Sequence, residues 1–262
     1  MFFTYPIPAF NDNYIWAIHD PQQNTVVVVD PGDAQAVNNY LQEHNLTLAA
    51  ILITHHHWDH TNGLLELKNH FQVPVFGPAA ENITGLSKPV KDSDIVVIEN
   101  FSLTFQVIDI PGHTLGHIAY FATEEQDEHM LFCGDTLFAA GCGKLFEGTA
   151  NQMLASLTKL AALPDTTKIF CGHEYTLNNL RFAKQVEPGN KKIFARIEQV
   201  KEIRERNLPS LPSLLKEEKE TNPFLRCHSQ EIIHYLEKYT GHKLNHPVDV
   251  FAALRSCKDA FM

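Results

Sequence analysis

The chain has 262 residues, 44% hydrophobic and 20% charged, with a mean hydropathy of −0.19, ample apolar material for a folded core and unlike a disordered or collagen-like polymer. Its 21 Lys and Arg against 31 Asp and Glu give a formal charge of −10, a balance that disfavours general binding to nucleic acid or to an anionic membrane. Apolar runs such as Val26 to Val29 are far too short to span a bilayer, and Met1 to Phe10 lacks a basic n-region, so a cytoplasmic protein is expected.

Short β-branched runs bounded by turn formers predict strands over Ile15 to Ile18, Thr25 to Val29 and Ala49 to Ile53. Helices are expected over Asp33 to His44 and Leu64 to Phe71. A second set of strands follows at Ile95 to Ile98, Leu103 to Ile110, Ile118 to Ala122 and Met130 to Cys133. Asn151 to Leu163 carries apolar residues at helical spacing, with Asn151 as its expected cap, and Lys168 to Cys171 reads as a strand. Beyond Tyr175 no strand is expected; helices are predicted at Asn178 to Val186, Lys191 to Arg206, Ser229 to Tyr239 and Pro247 to Lys258. The mixed-sign run Glu217 to Glu220 reads as a solvated helix face. The organisation expected is an α/β part over residues 1–174 and a mainly helical part over 175–262.

Five cysteines, Cys133, Cys142, Cys171, Cys227 and Cys257, lack CxxC spacing and read as reduced thiols. The 15 histidines are unevenly spread, and four of them lie within His55 to His60. The segment Thr54-His-His-His-Trp-Asp-His-Thr-Asn-Gly63 leaves an apolar strand and enters a helix expected to begin near Gly63. His55 and His57 can project to one side of an extended loop, while the adjacent Asp59 and His60 serve a second centre. A helix N-terminus there favours ionised Asp and neutral imidazole, the protonation states that metal ligation requires. Three later strands also end in a ligand-type residue beside glycine, at Gly112-His113, Gly134-Asp135 and Gly172-His173. Together these supply five His and two Asp, enough for two centres with one shared carboxylate, and strand ends on one sheet edge are where such residues gather.

The His-rich run resembles the signature of the metallo-β-lactamase superfamily. More narrowly, Gly141 to Ala150, Cys171 to Leu180, Glu187 to Asn190, Asn222 to Arg226 and Arg255 to Phe261 resemble the glyoxalase II (hydroxyacylglutathione hydrolase) family, over nearly the whole chain. The resemblance implies an α+β four-layer αββα sandwich with a helical C-terminal domain. It implies two divalent metal ions, with His55, His57 and His113 on the first, Asp59, His60 and His173 on the second, and Asp135 bridging. His56 is expected to face away and His117 to be a loop or supporting group, while Asp30 either orients a ligand imidazole or caps a turn. Lys144, Phe146, Tyr175, Arg255 and Lys258 match the positions that bind glutathione, Phe146 standing where some relatives carry Tyr. Cys133 and Cys171 are expected to fill the core.

Two divalent ions and two carboxylates leave the site cationic even with a hydroxide bound, and a metal-bridging hydroxide is the expected nucleophile, with Asp59 and Asp135 acting through it. A thiol of pKa about 8.5 can depart as thiolate, so a thioester suits a site with no dedicated acid. The activity implied is hydrolysis of S-D-lactoylglutathione to glutathione and D-lactate, the second step of methylglyoxal detoxification, in a monomer. Zinc suits the donor set, and iron or manganese also tolerate it. The alternatives weighed are a mononuclear iron dioxygenase acting on glutathione persulfide and a metal-binding module without turnover.

Overall fold

The computed structural model describes residues 2–124 and 128–261. They form two compact units, one comprising 2–109, 115–124, 128–134 and 170–174, the other 110–114, 135–169 and 175–261.

The first unit opens with strands β1 (Phe3–Ala9), β2 (Asn13–Asp20) and β3 (Thr25–Val29), helix α1 (Ala34–His44) and strand β4 (Thr47–Leu52). Helices α2 (Trp58–Thr61) and α3 (Leu64–Phe71) follow, then β5 (Val75–Pro78) and β6 (Lys88–Val90). These six strands make one sheet in order β1-β2-β3-β4-β5-β6, antiparallel at β1–β2–β3 and parallel from β3 onward. Strands β7 (Ile95–Ile98), β8 (Phe101–Asp109), β9 (Ile118–Thr123) and β10 (His129–Gly134) make a second, antiparallel sheet.

Why Thr25 to Val29 is apolar at every position from Val26 is a matter of coverage. Side chains alternate across a strand. Val26 and Val28 join a core with Val37 and Leu41 of α1 and Leu64 and Leu67 of α3, while Val27 and Val29 point the opposite way and are equally buried. That opposite face meets the second sheet: the Tyr120 hydroxyl donates to the Ile53 carbonyl at 3.0 Å, and Trp16 packs edge-on against Phe170 at 4.9 Å. A sheet covered on both faces selects continuous apolar runs. Strand β1 lies at the edge of its sheet, which tolerates Pro6 and Pro8 because an edge strand need not donate from every amide.

The second unit contains the short hairpin β11 (Leu137–Phe138) and β12 (Gly141–Cys142), helix α4 (Ala150–Ala161), strand β13 (Lys168–Cys171), and helices α5 (Thr176–Val186) and α6 (Lys191–Glu205). It continues with β14 (Ser213–Leu214), α7 (Leu215–Thr221), a 3-10 turn at Pro223–Leu225, α8 (Gln230–Thr240) and α9 (Pro247–Asp259). The last two residues of β13 belong to the first unit, and its first two pair antiparallel with β14. Helices α5 and α6 share a core of Leu180, Ala183, Ile193, Ile197 and Val200 with Ala140 of the hairpin.

Three sequence expectations are corrected here. The cap of α4 is Thr149, not Asn151: Thr149 has extended dihedrals and exchanges hydrogen bonds with Gln152 in a capping box, leaving Asn151 inside the first turn. The run Glu217 to Glu220 is not uniformly solvated, because Glu218 has 0% of its surface exposed and is ion-paired to the buried Arg196. And a strand does follow Tyr175, the two-residue β14, too short to carry an alternating pattern.

Candidate metal centre and substrate cavity

Strand β4 ends at Leu52 and delivers Ile53, Thr54 and His55 into a loop whose conformation is fixed by Asp30. Asp30 adopts a left-handed backbone conformation (φ 54°), which Asp tolerates, and its buried carboxylate faces the β4 end. It accepts from the Thr54 amide and hydroxyl, both at 2.7 Å, and lies 3.0 Å from Nδ1 of His60. Thr54 Oγ1 lies in turn 3.0 Å from Nδ1 of His55. Asp30 therefore orients a ligand-type imidazole, and the reading of it as a turn cap alone is set aside. Gly134 closes the same spot: a Cβ there would fall 2.3 Å from Thr54 Oγ1 and 2.9 Å from the His117 ring, so only glycine fits.

The helix expected to begin near Gly63 is α3, with Gly63 as its N-cap residue, and an additional one-turn helix precedes it. Helix α2 starts at Trp58 with His57 as its N-cap residue, which places Asp59 in the first turn and His60 one residue on. Asp59 Oδ2 lies 3.5 Å from His60 Nε2 and 3.4 Å from His173 Nε2, and the ligand atoms of these three residues fall within 4.8 Å of one another. The His55 and His57 rings stand 4.8 Å apart, and those of His55 and His60 4.2 Å apart. His56 turns to Glu81, its Nδ1 3.0 Å from the carboxylate, as its assignment away from the metal set required. His117 stacks on His55 at 4.5 Å with its Nδ1 on the Ile118 carbonyl.

Two further residues at this centre were absent from the sequence reading. Asp12 lies 2.8 Å from Nδ1 of His173, and Asn13 donates to Asp59 Oδ2 at 3.0 Å. Both sit at or beside the β1–β2 turn, where Asp and Asn are so ordinary that nothing local marks them.

In the second unit, His113 Nε2 lies 3.5 Å from Asp135 Oδ2, and its Nδ1 sits 2.8 Å from the Lys144 carbonyl. Asp135 is a buried carboxylate, 7% exposed. Both residues line a cavity of about 430 Å³ whose walls include Cys142, Lys144, Tyr175, Arg255, Lys258 and Phe261. Phe146 stands at its rim, 65% exposed, with its ring edge-on to His113 at 5.2 Å. Arg255 is nearly buried: it donates to the Cys142 carbonyl at 2.8 Å and to Asp259 at 2.9 Å, and its guanidinium lies over Phe224. Burial, with Arg255 next in effect, pushes Lys258 down to about 8 from 10.5. All five cysteines are buried thiols; burial pushes Cys142 up to about 11 and Cys227 up to about 12.

These donors fit a divalent cation. In His60, His173, His55 and His113, Nδ1 faces a carboxylate, hydroxyl or carbonyl oxygen, which leaves Nε2 as the nitrogen available to a metal. The Nε2-to-carboxylate separations of 3.4 and 3.5 Å are too long for good hydrogen bonds. They match the edge, about 3.4 Å, of a tetrahedron of donors about 2.1 Å from a common ion. A mixed His and Asp set of this kind suits zinc, iron or manganese in preference to calcium or magnesium.

Residues 11–173 match the model of the metallo-β-lactamase superfamily, and residues 174–261 match that of the hydroxyacylglutathione hydrolase C-terminus. Fold and donor clusters together define a metal-dependent hydrolase with the metallo-β-lactamase fold, carrying a helical C-terminal part. The chain is 50% identical over 258 residues to the hydroxyacylglutathione hydrolase of Nitrosomonas eutropha, covering 98% of each. It is 51% identical over 253 residues to that of Alkalilimnicola ehrlichii, covering 97% of each. The chain belongs to the hydroxyacylglutathione hydrolase family. Among solved structures it is similar to ETHE1 from Myxococcus xanthus, with a TM-score of 0.66 and 26% identity over 100% of both chains.

Proposed function

We propose that the protein hydrolyses S-D-lactoylglutathione and related 2-hydroxyacyl thioesters to glutathione and the hydroxy acid, the second step of methylglyoxal detoxification. The observation that carries this reading is the common orientation of the imidazoles, each held at Nδ1 with Nε2 left to ligate, together with a cavity that runs from His113 and Asp135 to a cationic wall. Family membership and half-identity to hydroxyacylglutathione hydrolases support the substrate class.

In this reading Asp59, His60 and His173 would hold one divalent ion and His55, His57 and His113 a second, with Asp135 as the shared carboxylate ligand; zinc is the first choice. When bound, such ions supply a water acidified to near-neutral pH and a Lewis acid for the thioester carbonyl. Asp30, Thr54, Asp12 and the Lys144 carbonyl fix the tautomer and the aim of the imidazoles, work that typically governs metal affinity and activity 10- to 100-fold. The substrate lies along the cavity with its carbonyl at the His113 and Asp135 end. Lys144 and Lys258 face the glutathione carboxylates, Tyr175 lines the same wall, and Arg255 acts on the carboxylates while bracing Cys142 and Asp259. Phe146 offers a ring at the rim and no hydroxyl. The thiolate, from a thiol of ordinary pKa about 8.5, departs without a proton donor, so no side chain is assigned as general acid.

Residues 1–174 are assigned to the catalytic module and 175–262 to the substrate-binding module, a division supported by the extents of the two family models. No described helix is long and apolar enough to cross a membrane, and the proposed place of action is the cytoplasm.

The test is turnover of S-D-lactoylglutathione by metal-loaded protein, followed through loss of thioester absorbance, beside oxygen uptake with glutathione persulfide. Thioester loss without oxygen uptake is expected. Oxygen uptake, or no turnover of the thioester by fully loaded protein, would overturn the assignment.

A further inference from the structure

Lys258 stands on the last turn of α9, part-buried, with its ammonium between two rings. Its Nζ lies 5.0 Å from the centroid of Phe261 and 5.4 Å from that of Phe182. The two rings touch at 5.4 Å and 64°, and Phe182 continues to Phe224, which carries the Arg255 guanidinium at 5.1 Å. Both cations of the cavity wall thus rest on one aromatic cluster reaching from the core, where Phe182 and Phe224 are buried, to the cavity, where Phe261 is part-buried as lining.

A lysine side chain is long and rotamer-rich, and a strongly hydrated ammonium ordinarily stays in water. Here it is drawn back over ring faces whose quadrupole attracts a cation. The charged groups around it are Arg255 and Asp259 on its own helix and Lys144 beyond β12, with the Cys142 thiol also near. Arg255 and Lys144 repel the ammonium and Asp259, itself paired with Arg255, attracts it, so the rings hold Lys258 against two like charges with one carboxylate beside them.

We propose that Phe261 and Phe182 are positioning residues for substrate binding, an aromatic clamp that fixes the Lys258 ammonium on the cavity wall where a glutathione carboxylate docks. This rests on the proposed role of Lys258 and adds to it: the geometry assigns a task to the final aromatic residue of the Arg255 to Phe261 segment. Pre-ordering the cation removes the entropy cost of ordering it at each binding event, so the clamp acts on KM and leaves kcat alone.

Phe261→Leu keeps the apolar volume and removes the π face, and Phe261→Tyr restores a ring. With S-D-lactoylglutathione, Phe261→Leu is expected to raise KM roughly three- to tenfold at unchanged kcat, with Phe261→Tyr close to the parent. With an uncharged thioester, S-lactoyl-N-acetylcysteamine, the leucine variant is expected to match the parent, because no carboxylate is there to meet the cation. Equal loss on both substrates would make the ring merely structural and overturn the clamp. Unchanged KM in Phe261→Leu, with KM raised in Lys258→Ala, would also overturn it while leaving Lys258 as a substrate ligand. Unchanged KM in Lys258→Ala would instead remove the underlying role of Lys258. Phe182→Leu, at a buried position, provides the second variant, with the same split between the two thioesters expected.

Discussion

At Asp30 a single carboxylate serves three donors: the Thr54 amide, the Thr54 hydroxyl and His60 Nδ1. A neutral amide in its place offers one acceptor oxygen and loses the charge that favours the His60 tautomer with Nε2 free to ligate. Asp30→Asn is therefore expected to lower metal affinity or kcat/KM by roughly 10- to 100-fold. Elemental analysis of the purified variant beside steady-state kinetics checks this, and full metal content with full activity would contradict it. The same scale shows why the ligand-type residues were legible while their supports were not. Four imidazoles in six positions after an apolar strand have no ordinary structural use, whereas Asp12 and Asn13 occupy a turn that would favour such residues in any protein. Their roles at His173 and Asp59 follow from separations of 161 and 46 residues along the chain.

Among the elements, α7 shows charge used inside a core. Glu218 receives the Ala140 amide at 2.7 Å and the Asn222 side-chain amide at 3.0 Å, and it pairs with Arg196. Asn222 also donates to the carbonyls of Phe138 and Gly141, so the tip of the β11–β12 hairpin is held by side chains from α7 and the turn after it. That hairpin leads from Asp135 to the cavity residues Phe138 and Cys142. Glu218→Ala would strand the Ala140 amide and leave the Arg196 guanidinium with Glu217 and Thr221 alone, at an expected cost of about 3 kcal/mol. Chemical denaturation of the variant measures it, and a loss below about 1 kcal/mol would show the pair to be replaceable. The pattern Leu-Lys-Glu-Glu-Lys-Glu could not reveal this, since its composition is that of a surface helix and the partner arrives from α6. By contrast β3, α1 and α3 were readable, because coverage on both sheet faces and an amphipathic stripe each leave a period in the sequence.

For the molecule as a whole, Lys258 ties stability to pH. Its pKa in the folded protein, about 8, lies below the ordinary 10.5. Between those values the unfolded chain binds a proton that the folded chain lacks, so this group makes stability rise as pH rises from about 8 to about 10.5. Below pH 8 both states are protonated and its contribution is a constant penalty. Replacing Lys258 by Met should flatten that limb of the stability curve, as read from melting temperature against pH, and an unaltered slope would contradict the shift. Substrate binding runs the other way, since the neutral amine above pH 8 no longer attracts a carboxylate.

What the sequence determined unaided was local: strands buried on both faces, helices with one apolar stripe, and ligand-type residues placed at strand ends. Each leaves its mark within a few positions, because side-chain periodicity and turn chemistry act over that range. Tertiary structure decided which acceptor holds each imidazole, which glutamate is buried, and which rings receive Lys258. Those choices join residues distant in the chain, and no composition or spacing encodes a partner that only folding brings within hydrogen-bond reach.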